Sequence, residues 1–254
     1  ASLENYAGEG NTEMVWAIRI NSSGNGDWGL HEGNSFQVNI APSGKDIGSY
    51  AGGWGGATVT PKLYNAYEAG DTRRDATIID YATESLPFDP IERDQRQYTG
   101  YSWKKYCPIT NAAGVAVVTA NGGNFQIDNY EDFAVIRFSD VLLMAAELNL
   151  TSNTGFAQEC YNKVRERAFH DTTHNTAVTL PVIMKERQLE LALEGHRYFD
   201  LIRQDMATAK AALDNSAGGS DFGVTFRPET LGWFPLPQSQ IILSNGAFQQ
   251  NPGW

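Results

Sequence analysis

Alternation of apolar and polar positions near the start of the chain predicts a β-strand. Met14, Trp16 and Ile18 alternate with the residues between them, and a period of two places such side chains on one face of a strand. We therefore expect Trp16 to face the core. Residues 21–60 show no period and are rich in glycine, which predicts a long irregular segment of the kind that often carries function.

A helix start follows this irregular segment. Thr60 before Pro61 is typical of a capping residue and the first helical position, and Gly70 marks the expected end of the helix. Residues 76–130 again favour short strands and loops, with turns at their Gly and Pro positions. The part of the chain up to residue 130 is therefore expected to be mostly irregular.

Apolar positions recur at helical spacing from residue 131 onward. One helix is expected to begin near Ser139 or Asp140, and a second to span about 156–169. The short connection between them predicts an antiparallel helical hairpin of the kind found in solenoid proteins. The sequence has no repeat of fixed period, so a single hairpin is expected.

Two more helices are predicted after the hairpin, over about 181–194 and 196–213, with Gly195 between them or inside one long helix. Charges alternate in sign every three residues here, at Glu194, Arg197, Asp200 and Arg203. Such pairs stabilise a helix, which indicates an architectural role.

The Gly- and Pro-rich tail predicts an extended arm, and Trp233 is expected in the core.

Together these patterns predict one mainly α-helical domain over residues 1–254. Its first part, 1–130, is expected to carry long irregular ligand loops and a few short strands. Its second part, 131–254, is expected to carry the helices and the C-terminal arm. A length of 254 residues is enough for a sizeable hydrophobic core.

Composition narrows the classes of partner. Lys and Arg number 19 against 30 Asp and Glu, which gives a net charge of −11. Such a negative field repels phosphate backbones, so nucleic acid is not expected as a partner.

Cys107 and Cys160 have neither the spacing of a zinc knuckle nor a disulfide framework around them. We expect both to be buried as small hydrophobic side chains.

Signatures of catalysis are absent from the sequence. It contains no G-x-S-x-G elbow, no H-E-x-x-H, no C-x-x-C and no phosphate-binding loop, since Gly44-Lys45 is followed by Asp46. His170 and His174 are four residues apart, a spacing that suits a metal on a helix. They fall beyond the expected helix end, so two exposed loop histidines are the favoured interpretation. No metal and no cofactor are expected.

Aromatic residues in the irregular part suggest a saccharide site. Sugar rings stack their C–H faces on aromatic rings, and their hydroxyl groups need polar partners. Trp28, Tyr50 and Trp54 lie among Gly, Asn, Ser and Asp and are predicted to supply the rings. His31 and Asn34 are added as polar candidates. Most Trp and Tyr are core residues, so burial is the competing expectation for each ring.

Two other functions stay open from the residues alone. Asp89, Glu92 and Asp94 lie near Tyr98 and Tyr101, which would suit a glycoside hydrolase if two carboxyl groups had the right separation. Sequence proximity does not fix that separation, and a solvated charged surface is the default. The helical hairpin also suits a scaffold that binds another protein.

Short motifs occur in order along nearly the whole chain. They are Asn11-x-Glu13 with Val15-Trp16-Ala17-Ile18, Gly52-Gly53-Trp54-Gly55, Asp71-x-Arg73-Arg74, Tyr98-Thr99-Gly100-Tyr101, Lys104-Lys105-Tyr106, 136–147, 162–168, 186–203, Pro235-Leu236-Pro237 and Gln250-Asn251-Pro252-Gly253-Trp254. Each motif alone is modest, but the ordered set is specific, and it resembles that of the SusD/RagB family of outer-membrane nutrient-binding lipoproteins.

The resemblance implies a mainly α-helical SusD-like fold with a tetratricopeptide-type helix pair. It implies non-catalytic binding of oligosaccharides, or of peptides in some branches, on the cell-surface side of the outer membrane. The partner would be a SusC-like TonB-dependent transporter that takes up the ligand. The chain would correspond to the C-terminal half of a family member, whose lipid-bearing N-terminal cysteine lies upstream. Tyr50 and Trp54 fall near the place where ligand sites form in the family.

Overall fold

The computed structural model describes residues 11–22, 26–30, 32–214 and 224–254. The chain divides into two compact units, Ala1–Glu194 and Gly195–Trp254. Within the described ranges, no helix has the length and apolar character needed to cross a membrane.

Short helices and strands alternate with long connections, and helices predominate. The helices are α1 Phe36–Ile40, α2 Pro61–Tyr64, α3 Arg73–Thr77, α4 Val117–Ala120, α5 Phe138–Leu148, α6 Thr154–Phe169, α7 Leu180–Glu190, α8 Arg197–Ile202, α9 Met206–Leu213 and α10 Gln238–Leu243, with a 3-10 helix at Pro228–Thr230. The strands are β1 Met14–Ile18, β2 Ile78–Asp80, β3 Tyr101–Trp103 and β4 Phe133–Arg137.

The predicted first strand is present, but its burial was wrongly predicted. β1 pairs antiparallel with β4, with Ala17 opposite Ala134, in a two-stranded sheet. Trp16 is 58% exposed. A sheet of only two strands leaves much of each strand open to solvent, so the alternation of side chains did not place Trp16 in the core. A second two-stranded sheet pairs β2 with β3.

The helical hairpin is α5 and α6, joined by residues 149–153. Its interior, closed by α7, consists of buried apolar side chains that include Leu143, Ala146, Ala157, Cys160, Tyr161, Val164, Ile183 and Met184. Cys160 and Cys107 are both free and buried, which confirms the prediction made for them.

Helix ends follow local capping where the sequence offers a cap. The Thr60 side chain accepts the N–H of Leu63 and begins α2, as predicted, although α2 ends at Tyr64, well before Gly70. The cap predicted for α5 was wrong. The helix begins at Phe138, and the carboxylate of Glu13, far away in sequence, accepts the N–H of Ser139 at 3.0 Å.

The third and fourth predicted helices are shorter than their sequence pattern indicates. Leu193 and Gly195 both have positive φ, at 66° and 85°, so the backbone turns there and Gly195 lies between helices. The second predicted helix of this pair is split into α8 and α9. Of the predicted charge ladder, Asp200 and Arg203 form an ion pair at 3.0 Å, while Glu194 lies outside any helix.

A buried ionic network joins the elements of the first unit. Arg137, at the end of β4, donates to Glu190 at 2.9 Å and to Glu194 at 2.8 Å. Arg73, at the start of α3, donates to Glu186 at 2.6 Å and lies 3.2 Å from Glu190. These carboxylates and Arg137 are at most 4% exposed. Buried charges of this kind require partners, and the network supplies them from three elements.

The second unit has a small core of its own. Leu201 of α8, Ala209 of α9 and Phe226 are buried together. The guanidinium carbon of Arg227 lies 3.9 Å from the centre of a Trp254 ring, and the indole N–H of Trp254 donates to the carbonyl of Trp233. Trp233 is 59% exposed, so the prediction of a core position was wrong. The predicted extended arm contains helical turns at its middle.

Replacing Glu190 with Gln should lower the free energy of unfolding by about 3–5 kcal/mol, because it leaves buried guanidinium groups without their counter-charge. Asp75→Asn is the matched control. Asp75 pairs with Arg74 at 3.0 Å but is 73% exposed in its side chain, and such a pair contributes less than about 1 kcal/mol. Denaturant titration measures both losses, and equal losses in the two variants would contradict the role of the network.

Acid should destabilise the protein through the same carboxylates. Burial alone would raise the pKa of Glu190, but the facing guanidinium groups of Arg137 and Arg167 lower it well below its ordinary value of 4.5. Because the folded-state pKa is depressed, the stabilisation is complete above pH 4.5 and is lost as the pH falls below it toward the folded-state pKa. Urea titrations between pH 7 and pH 3 should show this loss, with a smaller slope for Glu190→Gln. Parallel pH profiles for the two proteins would disprove the assignment.

Candidate functional site

A groove of about 470 Å³ lies in the first unit, between two loop segments. We call residues 44–52 the first wall and residues 115–125 the second wall. The lining residues are Gly44, Lys45, Asp46, Gly52, Val115, Ala116, Thr119 and Phe125. The lining therefore combines an apolar side with a charged one, as sites for polar organic ligands generally do.

Main-chain hydrogen bonds and glycines shape the first wall. The N–H of Gly44 donates to Gly53 O at 3.0 Å, and the N–H of Gly52 donates to the carboxylate of Asp46 at 2.8 Å. A Cβ at Gly52 would lie 2.0 Å from Gly44 O, far inside the contact distance of the two atoms. Only glycine lets the two strands of this loop approach so closely.

Residues 108 and 109 connect the two walls. The N–H of Ala51, in the first wall, donates to Pro108 O at 2.8 Å. The N–H of Val117, in the second wall, donates to Ile109 O at 3.0 Å. The small side chains of Ala51, Ala116 and Val118 are buried against one another. Backbone pairing and close packing of small side chains thus hold the walls at a fixed separation.

The second wall presents two exposed apolar side chains, Val115 and Phe125, which are 41% and 42% exposed. The turn that carries Phe125 is fixed from both sides. The N–H of Asn124 donates to Asp128 at 2.7 Å, and the side-chain amide of Asn129 donates to Phe125 O at 2.7 Å. The Phe125 ring is therefore displayed from a well-supported loop.

Trp54 is exposed beside the first wall. It lies two residues after Gly52, its side chain is 43% exposed, and its N–H donates to Val38 O of α1 at 2.8 Å. A Cβ at Gly53 would lie 2.3 Å from the same Val38 O. The segment that the sequence singled out for its glycines thus passes directly against α1 and presents the indole to solvent.

Trp28 is also exposed, at 55%, and its segment runs close to the second wall. The position of a Cβ built on Gly26 lies 4.0 Å from the Cβ of Asn124, the residue before Phe125. Two of the predicted rings, Trp28 and Trp54, therefore belong to segments next to opposite walls of the groove.

Tyr50 is buried, contrary to its prediction as a ligand-stacking ring. It is 6% exposed, and its hydroxyl donates to Glu84 at 2.6 Å. Burial and this hydrogen bond raise the pKa of Tyr50, so the hydroxyl stays protonated as a donor. Its ring belongs to a buried cluster that includes Ile47, Ile79 and Tyr81. No pattern in the sequence points to its partner Glu84, which is 34 residues away.

Asn34 is half-buried, and its amide is engaged within the protein. Its side-chain nitrogen donates to Asn129 O at 3.0 Å and to Gln37 at 3.1 Å, and its oxygen accepts the N–H of Gln37 at 3.2 Å. These bonds connect the start of α1 to Asn129, which lies four residues beyond the second wall. His31, the remaining predicted residue, lies outside the described residues.

Sequence reasoning missed Phe125, Thr119 and the two charged residues Lys45 and Asp46. Phe125 follows Asn121-Gly122-Gly123-Asn124, the same combination of an aromatic residue with Gly and Asn that singled out Trp28 and Trp54. That signal was sufficient to find it. Lys45 and Asp46 carry no comparable pattern, because their approach to the second wall depends on pairing between distant segments.

The two predicted loop histidines lie at the end of α6 and just beyond it. His174 lies 2.9 Å from Asp171 and stacks on Phe169 with ring centres 4.1 Å apart, and His170 ends α6 with a positive φ. In the described part of the chain, no group of three or more His, Cys, Asp or Glu is arranged to hold a metal ion.

Gly52→Ala should destabilise the first wall by about 1–3 kcal/mol, because the added methyl overpacks against Gly44 O. Gly155→Ala is the control. Gly155 lies in α6, where alanine is more favourable than glycine, and a Cβ at this position would lie an ordinary 3.8 Å from its nearest neighbour. Thermal unfolding of both variants checks this, and a Gly52→Ala protein as stable as Gly155→Ala would show that the wall is not tightly packed.

Comparison with known proteins gives consistent relatives. SusD-like protein P2 from Formosa agariphila is 26% identical over 221 residues, which cover 81% of this chain and 41% of that protein. SusD-like protein P25 from the same organism is 41% identical over 93 residues, which cover 32% of this chain and 18% of that protein. The chain therefore spans less than half the length of these curated relatives.

Solved structures show the same fold. Surface glycan-binding protein A from Bacteroides thetaiotaomicron superposes with a TM-score of 0.80 at 25% identity, covering 98% of this chain and 54% of that one. The same protein is also known in complex with laminarihexaose. A laminarin-binding SusD-like protein gives a TM-score of 0.77 at 29% identity, covering 97% of this chain and 51% of that one.

These superpositions confirm the predicted mainly α-helical, SusD-like fold. The sequence profile of the SusD family matches residues 92–254, more than half of the chain. The chain therefore belongs to the SusD family.

Proposed function

We propose that this chain binds oligosaccharides at the cell surface without cleaving them, for delivery to a TonB-dependent outer-membrane transporter. The observation that supports this most directly is the groove between Phe125 and the first wall, with Trp28 and Trp54 exposed on the adjoining segments. Surface glycan-binding protein A and the laminarin-binding SusD-like protein, both named for glycan binding, share the fold.

Stacking provides the physical basis for this proposal. An indole or phenyl face covers the apolar C–H face of a sugar ring, and each ring that is covered loses contact with water. Rings on Trp28, Trp54 and Phe125 project from separate loops, which suits a chain of several sugar units better than a monosaccharide. Their partial exposure favours weak, reversible binding, as delivery to a second protein requires.

The groove does not resemble a hydrolase site. Glycoside hydrolysis generally uses two carboxyl groups, roughly 5–5.5 Å or 6.5–9.5 Å apart, on either side of the scissile bond. Asp46 is the acidic residue among the described residues that line the groove, and one of its oxygens accepts the N–H of Gly52. A second carboxyl group is not supplied by this lining, which favours binding over cleavage.

Family membership supports a proposal for the location and the transporter partner. SusD-like proteins are surface lipoproteins of the outer membrane, and we propose the same location for this protein, with a SusC-like TonB-dependent transporter as its partner. Copurification of a large outer-membrane transporter with the protein isolated from its native membrane tests this part separately from glycan binding.

Trp54→Ala and Trp28→Ala should each weaken oligosaccharide binding about 3- to 10-fold, the size of one aromatic stacking contact. Trp16→Ala is the control, because Trp16 is exposed to a similar degree, at 58%, but lies on β1. A glycan array that includes laminarihexaose identifies ligands, and calorimetric titration measures the affinities. If ligand binds and neither Trp28→Ala nor Trp54→Ala weakens it more than the control does, the site is wrongly placed.

Prolonged incubation with a bound polysaccharide separates the two carbohydrate functions. A binding protein should leave the number of reducing ends unchanged, whereas a steady increase that depends on Asp46 would replace this proposal with a hydrolase. Binding of a protein partner together with no response to any glycan on the array would favour a scaffold instead.

A further inference from the structure

Lys45 is a cation without a counter-ion on the first wall of the groove. Its side chain is exposed, and it lines the groove opposite the second wall. Among the residues that the structure describes, its ammonium group forms neither a hydrogen bond nor an ion pair. The charge is therefore available to a ligand in the groove.

The backbone under Lys45 is held in place by a second cation. The guanidinium of Arg93 donates to Lys45 O at 2.6 Å and to Ser43 O at 3.1 Å, and it lies over the Phe88 ring at 5.1 Å. Because these bonds use main-chain oxygens, they fix the path of the loop and leave the Lys45 side chain unoccupied. Arg93 also adds positive charge to the base of this wall.

The neighbouring carboxylate is already engaged. Asp46 accepts the N–H of Gly52 across the loop at 2.8 Å, so one oxygen helps to close the first wall. No ion pair forms between Asp46 and Lys45 in the described structure. The groove therefore presents an unpaired ammonium next to a carboxylate that has a structural role.

Three other cations of the same unit, by contrast, have carboxylate partners. Lys105 pairs with Glu194 at 2.6 Å, Lys104 pairs with Glu84 at 3.0 Å, and Arg137 lies in the buried network. With a net charge of −11, the protein as a whole repels anions. Salt screens charges that are more than a Debye length of about 8–10 Å away. A cation within that distance can therefore attract an anionic ligand despite the negative net charge of the protein.

We propose that the groove prefers oligosaccharides that carry a carboxylate or sulfate group, and that Lys45 is the residue that contacts this group. The inference rests on the proposed glycan-binding function and specifies its substrate class. Phe125 would stack on a sugar face while Lys45, on the opposite wall, binds the anionic substituent. Lys45 thereby acts as a specificity-determining residue, and neutral glycans bind by stacking alone.

Three ligands that share the same glycan chain and differ only in charge test this proposal. They are laminarihexaose, laminarihexaose carrying sulfate esters, and laminarihexaose oxidised to carboxylates at its primary hydroxyl groups. A galacturonate oligomer and its methyl ester form a second matched pair on a different backbone. We expect the charged members to bind about fivefold more tightly at low salt, as for one exposed ion pair, and less so at 0.5 M salt because of screening. The sulfate and carboxylate arms show which anion is preferred.

Lys45→Gln should remove this preference, so that the charged and neutral members of each set bind with similar affinity. The matched control is Lys163→Gln, because Lys163 is exposed on α6 and outside the lining of the groove. Neither substitution touches a buried group, and equal thermal unfolding temperatures confirm intact folding. Equal binding of charged and neutral members, or a preference that persists in Lys45→Gln, overturns the proposal and leaves glycan binding intact. If no glycan in these pairs or on the array binds, glycan binding itself fails, and this inference with it.

Discussion

Burial of Glu190 among guanidinium groups is the constraint on which the first unit depends. A carboxylate that is 3% exposed needs compensating charge, and Arg73 and Arg137 supply it from α3 and from the end of β4. Much of the unit is loop, with few regular backbone ladders to hold it together. Charges that must meet in the interior therefore specify how distant segments come together, because any arrangement that separates them leaves a charge without a partner.

The groove uses a different kind of rigidity. Its first wall is held by main-chain hydrogen bonds and by glycines whose neighbours leave no room for a side chain, and its base is a contact between Ala51 and Ala116. The exposed rings and the ammonium of Lys45 add little to this framework. The backbone thus determines the shape of the groove, and the outward side chains are the groups proposed to contact the ligand.

Local signals in the sequence were sufficient for elements that depend on local interactions. The cap at Thr60, the hairpin of α5 and α6, and the strand at Met14–Ile18 follow from spacing and residue type. Features that depend on distant partners were not predictable. The burial of Tyr50 requires Glu84, and the start of α5 requires Glu13. Of the candidate site, the exposed Trp28 and Trp54 followed from composition, whereas Lys45 needed the fold to bring its loop to the second wall.

The use of main-chain atoms around Lys45 has a consequence for how such a groove is altered. Arg93 donates hydrogen bonds to main-chain carbonyl oxygens, which every residue type possesses. The stability of the loop therefore does not depend on which side chain is present at position 45. A substitution at position 45 should change which ligands the groove binds without changing the backbone of the loop. A substitution at Gly52, by contrast, changes that backbone, so specificity and rigidity can be altered separately at the two positions.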